Sequence, residues 1–318
     1  MAHEAWAAGS RNISIRDSTL REGLDVPGVG FSTEQRLRIA KLLDRANVPE
    51  IEIVAPGRVF KDLEFAEKLK AENLRIKASG LVFASSPRCR EEIEAVRECL
   101  DGFDVLMPVS EQREPFDRHT KTKLLLDALD YSLKRSSCVG VGFPHSTQAA
   151  PEFLLEISRE SAKMGAGRIL LYDTNGSADP FAVYSLVQRL KESVNTPLFF
   201  HAHNDLGMAT ANSVAAVRAG ADGLDATVNG LGDRAGNASL EQVVMALHLQ
   251  GLETGIALEL LKALSEIVER ESGISVSKLA PVVGEFVATH KSPAHLEIPD
   301  LFEAFDPSLI GLQRKITR

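Results

Sequence analysis

Only three cysteines, Cys89, Cys99 and Cys138, occur among 318 residues, an odd number with no Cys-x-x-Cys spacing. That scarcity fits a reducing compartment. None of the three reads as a nucleophile, since Cys89 and Cys99 fall on one helical segment and Cys138 at the head of a strand. Positive charge is also in deficit. Lys and Arg number 36 against 44 Asp and Glu, a net charge of −8, which argues against nucleic acid or an anionic membrane as partner. No apolar run approaches the roughly 20 residues of a spanning helix. The opening residues, MAHEAWAAGSRN, lack the long apolar stretch of a secretory signal. Residues 1–11 are therefore expected to form a disordered N-terminus on a cytoplasmic protein. The chain has no internal repeat, low-complexity segment or clear linker. Against these absences stand 44% hydrophobic and 25% charged residues, an ordinary balance for a globular protein with a core of good size.

Short β-branched runs alternate with longer segments of helical period, as in a parallel sheet with crossover helices. The predicted strands are Ile13–Arg16, Ile51–Val54, Arg75–Ala78, Val105–Pro108, Val139–Phe143, Ile169–Tyr172, Leu198–His201 and Leu224–Thr227. An amphipathic segment follows each, from Thr33–Ala46 to Leu240–Leu247. Eight such units fit a (β/α)8 barrel or an open doubly wound sheet, and the count alone does not choose. After Gly251 the pattern gives way to a helical segment, Ile256–Ser272, then a loop-rich end with a last helix near Leu301–Phe305. The expected organisation is a barrel over residues 12–251 and an extension over 252–318.

One stretch carries chemistry. His201 and His203 stand two apart at the end of the strand Leu198–His201, so both imidazoles face the same side. In a barrel that end is where active sites are built, and neutral imidazole suits a divalent transition metal. A third ligand is available only if the barrel closes and brings the first strand beside the eighth. Glu22 in Asp17-Ser18-Thr19-Leu20-Arg21-Glu22-Gly23 can then supply it, with Arg21 as a positive charge for an enolate or alkoxide oxygen and Asp17 as a second candidate carboxylate. Taken alone, Arg21 and Glu22 read more readily as a surface ion pair on a turn. The glycine-rich run Asn229–Asn237 does not match the G-x-G-x-x-G spacing. It reads equally as a flexible loop or as a cradle with Asn237 aimed at the metal or a substrate oxygen.

Together these stretches resemble the DRE-TIM metallolyase superfamily. The chain is most similar to its homocitrate synthase and isopropylmalate synthase branch, through Asp17–Gly23, HAHNDLG at His201–Gly207 and NGLGDRAGNASLE at Asn229–Glu241. The resemblance implies a TIM barrel with a short helical C-terminal extension. It implies a divalent metal (zinc, manganese, magnesium or cobalt) on Glu22, His201 and His203, with Asn237 close to it. Arg21 would steady the enolate-like oxygen and Thr174 would contact substrate, with Asn175 beside it in the Asp173–Gly176 turn. The segment Thr289–His295 resembles one that reaches into a partner subunit, where His295 would serve as a catalytic histidine, so a homodimer with exchanged C-terminal segments is expected.

The chain departs from the synthase pattern at several positions around this centre. Leu24 and Asp25 stand where Glu-Gln is usual, and Phe143-Pro144-His145-Ser146-Thr147 replaces a run with an acidic pair. Phe83 takes the place of an arginine, and Phe302 that of a tyrosine. Asp25, Phe83 and His145 are thus candidate substrate contacts whose identity is this chain's own. The chain also lacks room for the regulatory domain of long isopropylmalate synthases. The expected reaction is a metal-dependent condensation of an acyl-CoA, acetyl-CoA above all, with a 2-oxo acid to give a 2-hydroxy diacid, His295 or His145 serving as base. The alternative is a lyase or aldolase running the reverse cleavage. Against it stand the absence of cysteine from 229–237 and of histidine from 24–26. A barrel that keeps its metal for structure alone is a third reading.

Overall fold

The structure, a computed structural model, describes residues 11–111 and 115–317. The expectation of disorder at the N-terminus falls almost wholly on residues 1–10, outside that set. Eight parallel strands close into a barrel: β1 (Ser14–Asp17), β2 (Glu50–Val54), β3 (Lys77–Phe83), β4 (Gly102–Leu106), β5 (Val139–Phe143), β6 (Ile169–Asp173), β7 (Leu198–Ala202) and β8 (Gly223–Ala226). Closure is made by β1 and β8, where Ser14 to Asp17 run in register with Gly223 to Ala226. This decides between the two topologies left open by the strand count.

A short helix α1 (Thr19–Glu22) follows β1, and α2 (Thr33–Arg45), α3 (Val59–Ala71), α4 (Cys89–Cys99) and α5 (Arg118–Leu133) lead round the first half. Then come α6 (Pro151–Met164), α7 (Pro180–Lys191), α8 (Ala209–Arg218) and α9 (Leu240–His248). The Ser32 hydroxyl and Gln35 cap α2 reciprocally, and Pro151 and Pro180 open α6 and α7 where their missing N–H costs nothing. No helix among the described residues is long and apolar enough to cross a membrane.

Two strands differ from expectation. β3 runs on to Phe83 because Gly80 is not a turn: a Cβ there would lie 2.7 Å from Val54 Cβ and 2.9 Å from a Leu100 methyl. β4 begins at Gly102 because Asp104, which looks like a loop residue, is fully buried. The helix expected near Leu301–Phe305 is instead a 3-10 turn over Pro299–Phe302, preceded by a short helix α11 (Pro293–Glu297).

The extension falls into two parts. Its helix α10 (Leu261–Ser272) buries Leu261, Leu264 and Val268, and Arg38 of α2 pairs with its Glu271 at 2.8 Å. Glu253 bonds Ile13 just ahead of β1, its carbonyl accepting from the Ile13 N–H at 2.8 Å. This half therefore completes the chain's own barrel. Beyond it lie α11 and a small ladder of β9 (Thr289–His290) with β10 (Lys315–Ile316).

One parity of each strand packs apolar residues such as Ile15, Ile53, Val82, Val105, Val141, Leu171, Phe200 and Leu224 among the core. The other parity fills the barrel interior, and much of it is charged. Arg16 lies there with no exposure. Its Nε and Nη2 donate to the two Asp225 oxygens at 2.9 and 2.8 Å, and its Nη1 to Asp104 at 2.7 Å. Glu52 lies 3.1 Å from Arg16 Nη2. Arg168 grips Asp104 and Glu50 from the far side. Gly140 leaves room for this network, since a Cβ there would meet Asp104 Oδ1 at 2.1 Å.

Removing one member of a buried ion cluster strands the others, at a cost of about 3–5 kcal/mol. Arg16→Met, which keeps an unbranched apolar stem, should therefore lower the unfolding free energy obtained from urea denaturation by that amount. A change within about 0.5 kcal/mol would show that the carboxylates tolerate burial without their cation.

Candidate metal centre

Glu22, His201 and His203 converge at the C-terminal mouth of the barrel. One ligand atom from each lies within 4.8 Å of the others, and all three residues are buried. Local structure explains each position. Asp17 accepts from the Thr19 N–H at 3.0 Å and from its hydroxyl at 2.8 Å, starting α1 immediately after β1. That turn carries Glu22 inward. His201 is the fourth residue of β7, beside Tyr172 on β6 and Asp225 on β8, and His203 follows two residues later on the same face.

The residues around these three fix their orientation. Asp225 Oδ2 lies 3.0 Å from His201 Nδ1, which leaves Nε2 facing Glu22 Oε1 at 3.3 Å. Asn237 Nδ2 lies 3.0 Å from the same Nε2. Arg21 binds Glu22 Oε1 and Glu52 Oε2, each at 2.5 Å. Burial opposes a charge on His201, but its bonds to Asp225 and Glu22 carry its pKa up to about 9. Burial and the neighbouring His201 push His203 down to about 3. Burial alone would neutralise Glu22, yet Arg21 and His201 hold its carboxyl well below the usual range.

The residues fit a divalent cation. Besides the converging imidazoles and carboxylate, His203 Nδ1 and Asn237 Oδ1 are buried without a hydrogen-bond partner, and buried polar atoms rarely stay unpaired. Three ligands with an open side match a catalytic rather than a structural site. The glycine-rich loop is folded to present Asn237. Gly236 has φ +84°, and a Cβ there would lie 2.0 Å from the Gly230 carbonyl oxygen. That carbonyl accepts from the Asn237 N–H at 2.9 Å, while Gly236 O accepts from the Asn204 N–H at 2.8 Å.

The sequence of this chain matches the HMGL-like family over residues 12–268. The chain belongs to that family. Homocitrate synthase 1 of a Nostoc species is 35% identical to it, covering 96% of this chain and 82% of that protein. Homocitrate synthase AksA of Methanopyrus kandleri is 36% identical, covering 96% and 78%. 2-Isopropylmalate synthase 2 of Caldanaerobacter subterraneus is 34% identical, covering 96% and 81%. Among solved structures, a Bacillus subtilis HMG-CoA lyase superposes with a TM-score of 0.73 at 21% identity, covering 83% of this chain and 94% of that one. The last is a likeness of fold alone.

In this HMGL-like chain a cavity of about 310 Å³ opens over the three candidate ligands, lined by Arg21, Glu22, Asp25, Phe83, Thr174, His201 and His203 among others. The structure thus brings together most of the residues singled out from sequence. Asp25 sits at the rim, paired with Arg58 at 2.7 Å. The Thr174 hydroxyl accepts from the His145 N–H at 2.8 Å, placing the βα turns after β5 and β6 side by side. Asn175 occupies the same turn but does not line the cavity. His295 is not brought to the cavity within one chain: it lies 3.3 Å from His290 and stacks on Phe302. Asp17 holds α1 in place and does not join the ligand set.

Sequence reasoning missed Asp225, Arg16 and Glu52, the groups behind the ligands. Their signal was a charged residue inside each of three apolar strands. Arg234 was also unassigned: it binds both Asp205 oxygens and the Thr174 carbonyl, tying three mouth loops together.

A carboxylate behind a ligating histidine fixes its tautomer, and losing it typically lowers metal affinity about 10–100-fold. Asp225→Asn should show that loss for Mn2+ in a titration against a competing chelator, with its circular dichroism intact. Unchanged affinity would reduce Asp225 to a partner of Arg16.

Proposed function

We propose that this chain is an acyltransferase that condenses acetyl-CoA with a 2-oxo acid, releasing CoA and a 2-hydroxy diacid. The observation that carries this reading is a single cavity holding a three-residue ligand set beside an arginine with a donor to spare. Arg21 Nη2 is buried in that site without a partner. Kinship with the synthases described above supports the same chemistry.

A divalent cation on Glu22, His201 and His203, whether zinc, manganese, magnesium or cobalt, would supply Lewis-acid polarisation of the oxo acid's carbonyl. The chain's own residues do the rest. Arg21 directs Nη2 to the acceptor's oxygens and stabilises charge that develops there, its orientation fixed by Glu52 and Glu22. The Thr174 hydroxyl, in the turn after β6, offers a further polar contact at the cavity lining. A histidine takes a proton from the acetyl methyl group, the resulting carbanion carbon attacks the oxo carbon, and the former oxo oxygen gains a proton. Water then cleaves the thioester, giving the second carboxylate and free thiol.

The direct test is thiol release from acetyl-CoA with metal-loaded protein and a panel of 2-oxo acids. Release is expected with at least one acid, and should be abolished by chelation or His203→Ala. No release with any acid, or release that needs no acid, overturns the reading.

The base is assigned to His295 of a second subunit in a homodimer. His145 is tied to the cavity residue Thr174 through its backbone N–H, whereas His295 is on the C-terminal extension and does not line the cavity of its own chain. Subunits of His295→Ala and His203→Ala, each inactive alone, should recover up to about a quarter of normal activity when mixed and exchanged. Failure to recover, with exchange proven, would return the role to His145.

A further inference from the structure

Resting on the condensation reading, we infer that the acceptor is a 2-oxo acid with an uncharged aliphatic side chain, selected over 2-oxo diacids by an apolar wall facing the ligand set. The cavity is divided in character. Glu22, His201, His203 and Arg21 hold the side formed by β1 and β7. The facing side, from the ends of β2 to β5, presents Ala55, Pro56, Leu81, Phe83, Leu106 and Pro144. Leu81 and Leu106 continue inward as one apolar cluster with Leu170, Tyr172 and Phe199, and Phe83 packs against it.

A 2-oxo acid that offers its oxo and carboxylate oxygens to the polar side has one remaining substituent. That substituent must cross towards the wall. What it meets there is hydrocarbon, without lysine or histidine. Two arginines line the cavity. Arg21 belongs to the polar side and is already held by Glu22 and Glu52. Arg58 stands at the rim with its charge matched: Nη1 lies 2.7 Å from Asp25 and Nε 3.6 Å from Asp62, while Nη2 reaches the Arg21 carbonyl at 3.5 Å.

A distal carboxylate pressed against such a wall would lose its water and gain no partner. An alkyl group would be favoured instead, since one methylene in an apolar pocket is worth about 10–200-fold in specificity. The volume sets the scale. About 310 Å³ must hold the acceptor together with the reacting end of the thioester, which suits a short straight or branched side chain. Phe83 is the specificity-determining residue of this arrangement, because it ends β3 half-buried with its ring between the cluster and the open cavity.

The test has two readouts on protein reconstituted with Mn2+. Calorimetry without acetyl-CoA ranks binding of 2-oxopentanoate and 3-methyl-2-oxobutanoate against 2-oxobutanedioate and 2-oxopentanedioate, and thiol release ranks kcat/KM for the same acids. The aliphatic acids should be preferred by about 100-fold or more in both. Phe83→Arg should cut that ratio at least tenfold. Diacids equal to or better than aliphatic acids in the wild type overturn the inference, as does an unchanged ratio in a folded Phe83→Arg. If Phe83→Arg does not fold, the wild-type ranking decides alone. Aliphatic preference in calorimetry without any thiol release would uphold the wall while refuting the condensation.

Discussion

Arg16 lies in the barrel interior with no solvent exposure, and its guanidinium fork holds both oxygens of Asp225 across the β1–β8 seam. That contact exists only because the barrel closes there. The same Asp225 oxygen that accepts from Arg16 Nη2 faces His201 Nδ1, so the bond that marks closure also aims a candidate metal ligand. Buried ion pairs add little net stability over well-packed apolar residues of similar size. Their presence where a barrel usually packs Val, Ile and Leu is therefore explained by what they orient. Glu52 repeats the arrangement on the other side: it lies against Arg16 and holds Arg21, which in turn holds Glu22. Both arms of the ligand set are thus supported from one buried cation.

This explains which parts were legible in the sequence. Strand and helix alternation is a property of hydrophobic period, so the eight units could be read directly. The two histidines could be read because spacing two on a strand leaves them no other relation than a shared face. Glu22 needed closure, a long-range fact. Strand boundaries failed where local residue type misled. Gly80 looks like a strand breaker, but it is glycine so that Val54 and Leu100 can approach. Asp104 looks like a loop residue, but it is a buried partner of Arg16 and Arg168. Charges buried in strands depend on partners about 90 or 200 residues away. A local window does not contain them.

The positions that depart from the synthase pattern are structurally consistent with one another. Where an acidic pair would follow β5, Ser146 donates to the Phe143 carbonyl and Thr147 donates to Asp173 at 2.8 Å. These side chains tie the turns after β5 and β6 together and leave no carboxylate of their own at the cavity. Phe83 and Pro144 then extend the apolar side of the same mouth. The change is therefore not scattered loss. The side formed by β1 and β7 is charged, and the side from β2 to β5 is chiefly hydrocarbon.

The two halves of the C-terminal extension obey different physics. Residues 252–272 have their apolar side chains covered: Leu252, Ile256, Leu261, Leu264 and Val268 are all buried against the barrel. The remainder adds a polar network, with His290 Nε2 2.8 Å from Glu303 and Arg314 paired to Glu303 and Asp300. Val283 and Ile310 anchor it in the core, but much of its remaining apolar surface is not covered. Leu279 is 78% exposed, Leu301 72% and Ile298 59%. Scattered exposed leucines need no explanation, but Ile298, Leu301 and Phe302 lie together on one short segment, the kind of apolar patch that another surface can cover. The His290–Glu303 pair lies directly behind His295. The segment thus leaves part of its apolar side open while holding a histidine pair in fixed geometry, the arrangement that the proposed exchange between subunits would use. Within one chain the cavity lining does not include it.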